Sequence, residues 1–185
     1  MKCWNCNEAV QGPVCAGCSV IQKLRPTFDH FALLGLPRTW KVDKRDIERA
    51  WRRVQKKVHP DRYVGADAAQ RQLALQWTAS LNEARRVLKT PRTRALYLAT
   101  GQPELPESAG GLVDPDFLDQ MFELQLAASE EPERVQSEAD AFAADIDAQL
   151  DVIFEAWQRG EGSLEGVAPL IARMKYIDNA RALVA

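Results

Sequence analysis

The sequence predicts an all-α protein: a helical hairpin followed by a C-terminal three-helix bundle, with a small four-cysteine module in front of both. Three observations lead to this prediction. Apolar residues recur at intervals of three and four, the spacing of one helix face, through most of the chain. All four cysteines lie within the first 18 residues. A stretch rich in Pro and Gly, residues 101–111, separates two helical regions.

The first helical region extends from about residue 28 to residue 99. Asp43 is predicted to cap a helix with one apolar and one basic face, which ends at His59 because the following proline disfavours α geometry there. A second long helix from about residue 67 to residue 88 forms an antiparallel hairpin with it. Pro91 is predicted to open a short last helix. The apolar faces of the two long helices comprise Ile47, Trp51, Val54 and Val58, and Leu73, Trp77, Leu81, Ala84 and Leu88.

Three further helices are predicted in the second half of the chain. Asp114-Pro115 and Glu131-Pro132 each have the pattern of a helix start, and Ser163 is predicted to cap the last helix. The first of these helices has two neighbouring apolar stripes, although a core needs only one. The other stripe is therefore either an exposed partner surface or also buried. The two stripes are Phe117, Met121 and Leu124, and Leu118, Phe122 and Leu126.

Composition indicates a globular protein, with 46% hydrophobic and 27% charged residues among 185. No apolar run reaches the roughly 18 residues that cross a bilayer, and the N-terminus has no targeting pattern. We therefore expect a cytoplasmic, prokaryotic-type location with reduced thiols. Residues 1–101 contain 19 Lys and Arg against 8 Asp and Glu, whereas residues 102–185 contain 5 against 18. This asymmetry predicts two units with different partners, unless each half simply has its own solvated face.

The tripeptide His59-Pro60-Asp61 lies between the basic helix and the next long helix. By itself it is compatible with an ordinary turn, because Pro and Asp are favoured turn residues. The chain has two histidines, His30 and His59, and shows neither a carboxylate pair nor a nucleophile–base arrangement. We therefore do not expect an enzyme.

The surroundings of the tripeptide resemble the J-domain family. Residues 50–62, AWRRVQKKVHPDR, are similar to the second helix and loop of J-domains. Residues 28–37, FDHFALLGLP, resemble the start of the domain, and residues 82–88, NEARRVL, resemble the end of its third helix. The three segments occur in the family's order.

This resemblance implies a co-chaperone that stimulates the ATPase of a DnaK-class chaperone. In the family, the His-Pro-Asp loop docks on the chaperone's ATPase domain beside its interdomain linker, and the basic helix meets an acidic surface. Carried over by position, the chaperone-binding residues are His59, Pro60, Asp61, Arg49, Arg52, Arg53, Lys56 and Lys57.

Two C-x-x-C hooks, Cys3/Cys6 and Cys15/Cys18, are separated by eight residues. Two such hooks can place four thiolates at about 2.3 Å from one metal ion and close a tetrahedral site. A structural Zn²⁺ fits best, since no ligand position remains open. Iron is an alternative because four thiolates also bind it, and two disulfides are the alternative without a metal.

The second half extends the resemblance to one J-domain family, the HscB co-chaperones of iron–sulfur cluster assembly. Three segments carry this resemblance: residues 91–98, PRTRALYL, residues 117–124 and residues 175–178. The family has a C-terminal bundle that holds an IscU-type scaffold for a DnaK/HscA-class chaperone, and some members have an N-terminal C-x-x-C pair. Leu126 stands where relatives often have an acidic residue. The implied scaffold contacts are Leu118, Phe122, Glu123, Leu126 and Tyr176.

The predicted organisation is a zinc module in residues 1–25, a J-domain in 26–101, a linker in 102–113 and the scaffold-binding bundle in 114–185. The predicted partners are the chaperone and the scaffold, with no membrane or nucleic acid, and a homodimer is compatible with the sequence. Alternatives are a J-protein of a general DnaK with another client, an iron–sulfur carrier, and a zinc-containing nucleic-acid binder. The acidic second half disfavours the last of these.

Overall fold

The computed structural model describes residues 2–25 and 29–185, and within them α-helices are the dominant structure. Isolated β-bridges occur near the N-terminus, and no β-strand is found in these two ranges. The predicted helical start at Phe28 and the predicted boundary at residue 26 lie outside the described residues. The helices are α1 His30–Leu34, α2 Lys44–Val58, α3 Ala68–Lys89, α4 Pro91–Thr100, α5 Pro115–Ala127, α6 Pro132–Gln158 and α7 Val167–Ala182, with 3-10 helices at Pro60–Tyr63 and Glu107–Leu112.

The chain divides into two compact units, Met1–Pro91 and Arg92–Ala185. In the first unit α2 and α3 form the predicted hairpin, and α1 packs on α3. The predicted Asp43 cap is confirmed, since its carboxylate accepts the backbone N–H of Arg45 at 2.6 Å. Helix α3 begins close to the predicted position, and Asp67, which was not predicted as a cap, accepts the N–H of Gln70 at 2.8 Å. The sequence therefore fixes where both long helices begin.

Most of the predicted hairpin core is confirmed, because Ile47, Val58 and Leu81 have no exposed surface. Two predicted core residues, Trp51 and Leu73, are only half-buried. The Trp51 ring lies 4.6 Å from the guanidinium carbon of Arg85, and its indole N–H donates to Asn82 at 3.1 Å. Polar neighbours on α3 therefore hold this ring at the edge of the core.

The second unit contains α4 to α7, with α6 and α5 both packed on α7. The predicted Asp114 cap is confirmed, since its carboxylate accepts the backbone N–H of Phe117 at 2.9 Å. The prediction that Ser163 caps the last helix is wrong. A turn comes first, closed by the N–H of Val167 donating to the carbonyl of Leu164 at 3.1 Å, and α7 begins at Val167.

The segment 102–113, predicted as a linker, contains the 3-10 helix Glu107–Leu112, which packs on α7 and buries Ala109. Helix α4 falls in the second unit, where Arg92 forms an ion pair with Asp178 of α7. The predicted domain boundaries stay a prediction. No helix in residues 2–25 and 29–185 combines the length and apolar character needed to span a bilayer.

Candidate functional site

The His59-Pro60-Asp61 loop begins where α2 ends. His59 leaves helical geometry with φ −57° and ψ 132°, as expected for a residue before proline. Pro60 then opens the 3-10 helix Pro60–Tyr63. The loop thus projects from one end of the hairpin.

The two titratable side chains of the loop are on the surface. The His59 side chain is 47% exposed and that of Asp61 is 86% exposed. The backbone N–H of Asp61 donates to His59 Nδ1 at 3.3 Å. A neutral imidazole in this arrangement has its proton on Nε2. Another protein can therefore reach both side chains.

Tyr63 fixes the loop against α2 and was not identified from the sequence. Its ring is 7% exposed, and its hydroxyl donates to the backbone carbonyl of Lys57 at 3.1 Å. Burial raises the pKa of the Tyr63 hydroxyl, so it remains a donor at neutral pH. The only signal in the sequence is an aromatic residue two positions after Asp61.

The predicted cationic side chains of α2 all lie on the exposed side of the helix: Arg49, Arg52, Arg53, Lys56 and Lys57. Arg53 has an additional structural role, because its Nη2 donates to the carbonyl of Leu34 at 3.1 Å and thereby holds the end of α1. Arg49 forms an ion pair with Asp46. The basic face is thus next to the exposed loop, as the sequence predicts.

The two cysteine hooks repeat one backbone design. In the first, the N–H of Asn7 donates to the carbonyl of Cys3 at 3.1 Å, and in the second, that of Ser19 donates to Cys15 at 3.0 Å. Asn7 and Ser19 both adopt left-handed geometry, with φ 65° and 59°. This conformation is uncommon for residues other than glycine, and it closes each hook directly after its second cysteine.

The four sulfur atoms lie within 4.8 Å of one another. The Sγ atoms of Cys3 and Cys18 are 3.6 Å apart, as are those of Cys6 and Cys15. Four thiolates around one tetrahedral Zn²⁺ would be about 3.8 Å apart, given bonds of about 2.3 Å. A disulfide requires about 2.05 Å, and all four cysteines are free. The cysteines are therefore positioned to hold a metal ion.

The crowded thiols have opposite pKa shifts. Burial acts to raise the pKa of Cys3, but hydrogen bonds from the backbone N–H groups of Cys6 and Asn5 outweigh it and lower the pKa to about 6. The hydrogen bond from the Glu8 backbone acts to lower the pKa of Cys6, but burial and the neighbouring sulfurs together outweigh it and raise the pKa to about 12. Ionising one sulfur thus disfavours ionising the next, and a bound cation removes that conflict.

Gln22 links the cysteine cluster to the hairpin and was missed from the sequence. It is 2% exposed, and its side-chain amide donates to Cys3 Sγ at 3.3 Å. Its backbone carbonyl accepts the indole N–H of Trp77 at 2.7 Å. The Cys3 sulfur therefore accepts a hydrogen bond from a residue that is itself bonded to α3. Nothing in the local sequence marks Gln22.

The two stripes of α5 have different environments. Phe117, Met121 and Leu124 are buried, whereas Phe122 is 62% and Leu126 is 66% exposed. The remaining scaffold-binding candidates of α5 are Leu118, which is half-buried, and Glu123, which is exposed. Of the two alternatives left open by the spacing, the structure has the one with an exposed apolar stripe.

Tyr176, the candidate on α7, is half-buried beside the 3-10 helix Glu107–Leu112. It lines a cleft of about 280 Å³ together with Pro106, Gly110 and Lys175. A methyl group at Gly110 would lie 4.0 Å from the Tyr176 hydroxyl. The structure thus places Tyr176 in a cleft on α7, while the other four candidates are on α5.

Comparison with known proteins agrees with this geometry. The sequence model of the DnaJ domain matches residues 29–97, which include the loop and the basic helix. The "Co-chaperone protein HscB homolog" of Bordetella petrii is 42% identical over 66% of this chain and 69% of its own length. That of Bordetella pertussis is 46% identical over 51% of this chain and 56% of its own length. The chain thus spans between about half and two thirds of these bacterial relatives.

A longer alignment connects the chain to an animal relative. The "Iron-sulfur cluster co-chaperone protein HscB" of Mus musculus is 27% identical over 96% of this chain and 79% of its own length. The crystal structure of the human co-chaperone protein HscB shares the fold, with a TM-score of 0.81 at 22% identity, covering 100% of this chain and 96% of that one. HscB from Vibrio cholerae gives a TM-score of 0.64 at 27% identity, covering 85% and 95%.

Proposed function

This chain belongs to the HscB family of J-domain co-chaperones, and from that premise we propose that it stimulates the ATPase of a DnaK/HscA-class chaperone and delivers an IscU-type iron–sulfur scaffold to it. The observation that carries the proposal is the exposed His59-Pro60-Asp61 loop at the end of a cationic helix.

Chaperone binding uses the loop and the basic face of α2 together. The exposed cations attract an acidic partner surface over a distance of about one Debye length, roughly 8–10 Å. At close range the Asp61 carboxylate, 86% exposed, accepts a charge-assisted hydrogen bond from the partner. The chain forms and breaks no covalent bond in this mechanism. It shifts the chaperone toward a hydrolysis-competent state by binding that state more tightly.

Scaffold binding uses the exposed stripe of α5. Phe122 and Leu126 are among the most exposed large apolar side chains of the described residues, and half-buried Leu118 extends the stripe by one turn. Such residues on a rigid helix supply the apolar anchors of an interface. Glu123 adds a polar contact at the edge, and Tyr176 on α7 contributes a ring with a hydroxyl.

The metal that fits Cys3, Cys6, Cys15 and Cys18 best is Zn²⁺, because four thiolates complete its coordination and leave no position for chemistry. A segment of about 25 residues buries too little surface to fold alone, so the metal would supply much of its folding energy. Iron in the same four-thiolate site is the alternative.

Steady-state ATP hydrolysis by a purified HscA-type chaperone tests the proposal, with this chain and an IscU-type scaffold added singly and together. We expect each addition to accelerate hydrolysis and the pair to exceed the sum, because the chain presents the scaffold to the chaperone it activates. A general DnaK serves as the parallel arm. Equal stimulation of both chaperones without any scaffold effect would favour a general J-protein and contradict the delivery role.

A further inference from the structure

A groove of about 730 Å³ lies between the second cysteine hook and α2. One wall is formed by Val14, Ala16 and Ser19 of the hook. The other wall and the end beside the loop are formed by Arg53, Lys56, Lys57, Arg62 and Tyr63. All of these residues belong to the first unit, and the volume is in the range of ligand sites, about 300–1,000 Å³.

The groove is strongly cationic. Arg53, Lys56, Lys57 and Arg62 are exposed, and none of the four forms an ion pair with a carboxylate in residues 2–25 and 29–185. By contrast, Arg85 and Lys89 on α3 both form an ion pair with Glu48. Four thiolates with a divalent metal would have two negative charges, so the four cations leave an excess positive charge. The groove therefore favours an anionic occupant.

The residues that line the groove favour a polypeptide over a nucleic acid as its occupant. Single-stranded nucleic acids bind through stacking of bases on exposed aromatic rings. The one aromatic residue lining the groove, Tyr63, is 7% exposed, and its hydroxyl is bonded to the Lys57 carbonyl. Val14 and Ala16 instead offer small apolar contacts beside the cations. Acidic side chains alternating with small apolar ones match this lining.

We propose that this groove receives an extended acidic segment of the chaperone, so that the metal-binding module forms one wall of the chaperone site. The groove is continuous with the docking loop, since Arg62 directly follows Asp61 and lines the groove. This inference rests on the proposed function, and it gives the cysteine module a direct role in partner binding. The hook residues that would contact the segment are Ala16 and Ser19, both exposed.

The test uses the full-length, metal-loaded chain with Ala16→Glu, which adds a carboxylate to the wall without altering a metal ligand or α2. Ala9→Glu is the control, because Ala9 is also exposed, follows the first hook by three residues and does not line the groove. Ala16→Lys adds similar bulk with the opposite charge. The readout is the concentration of each variant that gives half-maximal stimulation of the chaperone ATPase.

We expect Ala16→Glu to raise that concentration about five- to tenfold with unchanged maximal stimulation, and the difference to shrink at high salt. Ala9→Glu and Ala16→Lys should stay within about twofold of the parent. If the wild type stimulates the chaperone and Ala16→Glu needs the same concentration for half-maximal stimulation, the groove does not bind the chaperone segment. The proposed function would remain intact. The groove proposal is also wrong if the half-maximal concentration rises equally in Ala16→Glu and Ala9→Glu, or equally in Ala16→Glu and Ala16→Lys.

Two further outcomes have their own interpretation. A wild-type chain that does not stimulate the chaperone overturns the proposed function and the groove together. Binding of a fluorescent single-stranded DNA by the wild type, lost in Ala16→Glu and kept in Ala9→Glu, overturns the peptide occupant and assigns the groove to a nucleic acid.

Discussion

The indole N–H of Trp77, in the middle of α3, donates a 2.7 Å hydrogen bond to the backbone carbonyl of Gln22, four residues after the second cysteine hook. Both residues are buried, at 3% and 2% exposure. The Gln22 side chain continues the connection to the sulfur of Cys3 at 3.3 Å. The four-cysteine module is therefore part of the same folded unit as the helical hairpin.

Replacing Trp77 by Phe removes this donor and leaves the Gln22 carbonyl buried without it. A buried polar group that loses its partner costs about 1–3 kcal/mol of unfolding free energy, and the smaller ring adds to the loss. Urea unfolding of the metal-loaded protein measures the change. Trp51→Phe is the control and should cost less than about 1 kcal/mol, since Trp51 is only half-buried. Equal losses for the two variants would contradict the role of the Trp77 bond.

The cysteine site should contain one metal ion per chain, and zinc predicts a colourless protein by absorption spectroscopy. Cys6→Ser removes one ligand and should abolish stoichiometric metal while α2 and α3 keep their helical circular dichroism. Ser19→Ala is a matched control outside the ligand set. Visible absorption bands of the freshly purified protein would contradict zinc and support iron.

Metal retention should depend on pH in one direction. Each thiol must lose its proton to bind a metal ion, so a falling pH favours the protonated form that does not bind. The lowered pKa of Cys3 makes it the thiol that ionises more readily than Cys6. We expect metal, measured by chelator-trapped release, to be retained at pH 7 and to be lost increasingly as the pH is lowered, because protons compete with the metal for the thiolates. If the cysteines retained the metal ion more tightly at pH 5 than at pH 7, the expected competition between protons and metal would be contradicted.

Tyr63→Phe tests the anchor of the docking loop. The change removes the bond to the Lys57 carbonyl but keeps the buried ring, so unfolding free energy should fall by about 1 kcal/mol. Maximal ATPase stimulation should fall by more than stability accounts for, because the loop is no longer fixed against α2. Val64→Ala, at a neighbouring side chain that is 72% exposed, should leave both quantities unchanged. An unaltered maximum in Tyr63→Phe would show that the bond does not position the loop.

Substitutions of the adjacent residues Met121 and Phe122 distinguish the packing role of α5 from its proposed binding role, because one side chain is buried and the other is exposed. Phe122→Ser changes a side chain that is 62% exposed, so stability should move by no more than about 0.5 kcal/mol while pull-down of an IscU-type scaffold is lost. Met121→Ser changes a side chain that is 1% exposed and should cost about 2–5 kcal/mol. Full scaffold capture by the double variant Leu118→Ser/Phe122→Ser would contradict the binding role of this stripe.

The parts predicted correctly from the sequence have local signatures. The predicted caps Asp43 and Asp114 each accept a backbone N–H within three residues, so a short window of sequence contains the whole interaction. The cysteine hooks are local in the same way, because the spacing of each pair fixes two thiolates relative to one another.

The parts that were missed depend on residues far apart in the chain. Trp77 and Gln22 are 55 positions apart, and no periodicity connects them. Spacing also could not decide which stripe of α5 is buried, since Phe117 and Leu118 are adjacent and equally apolar. Packing against α7 selects the stripe, and that partner is about 50 residues away. The Ser163 prediction was wrong because a closed turn precedes α7.

If the exposed loop after α2 activates a chaperone, replacing His59 by Gln should slow single-turnover ATP hydrolysis by that chaperone. We expect the wild type to accelerate hydrolysis and the acceleration to be at least about tenfold smaller with His59→Gln. The urea midpoint for unfolding of the His59→Gln variant should equal that of the wild type, since the His59 side chain is 47% exposed. If a folded His59→Gln protein stimulated hydrolysis as well as the wild type, the loop would not be the element that activates the chaperone.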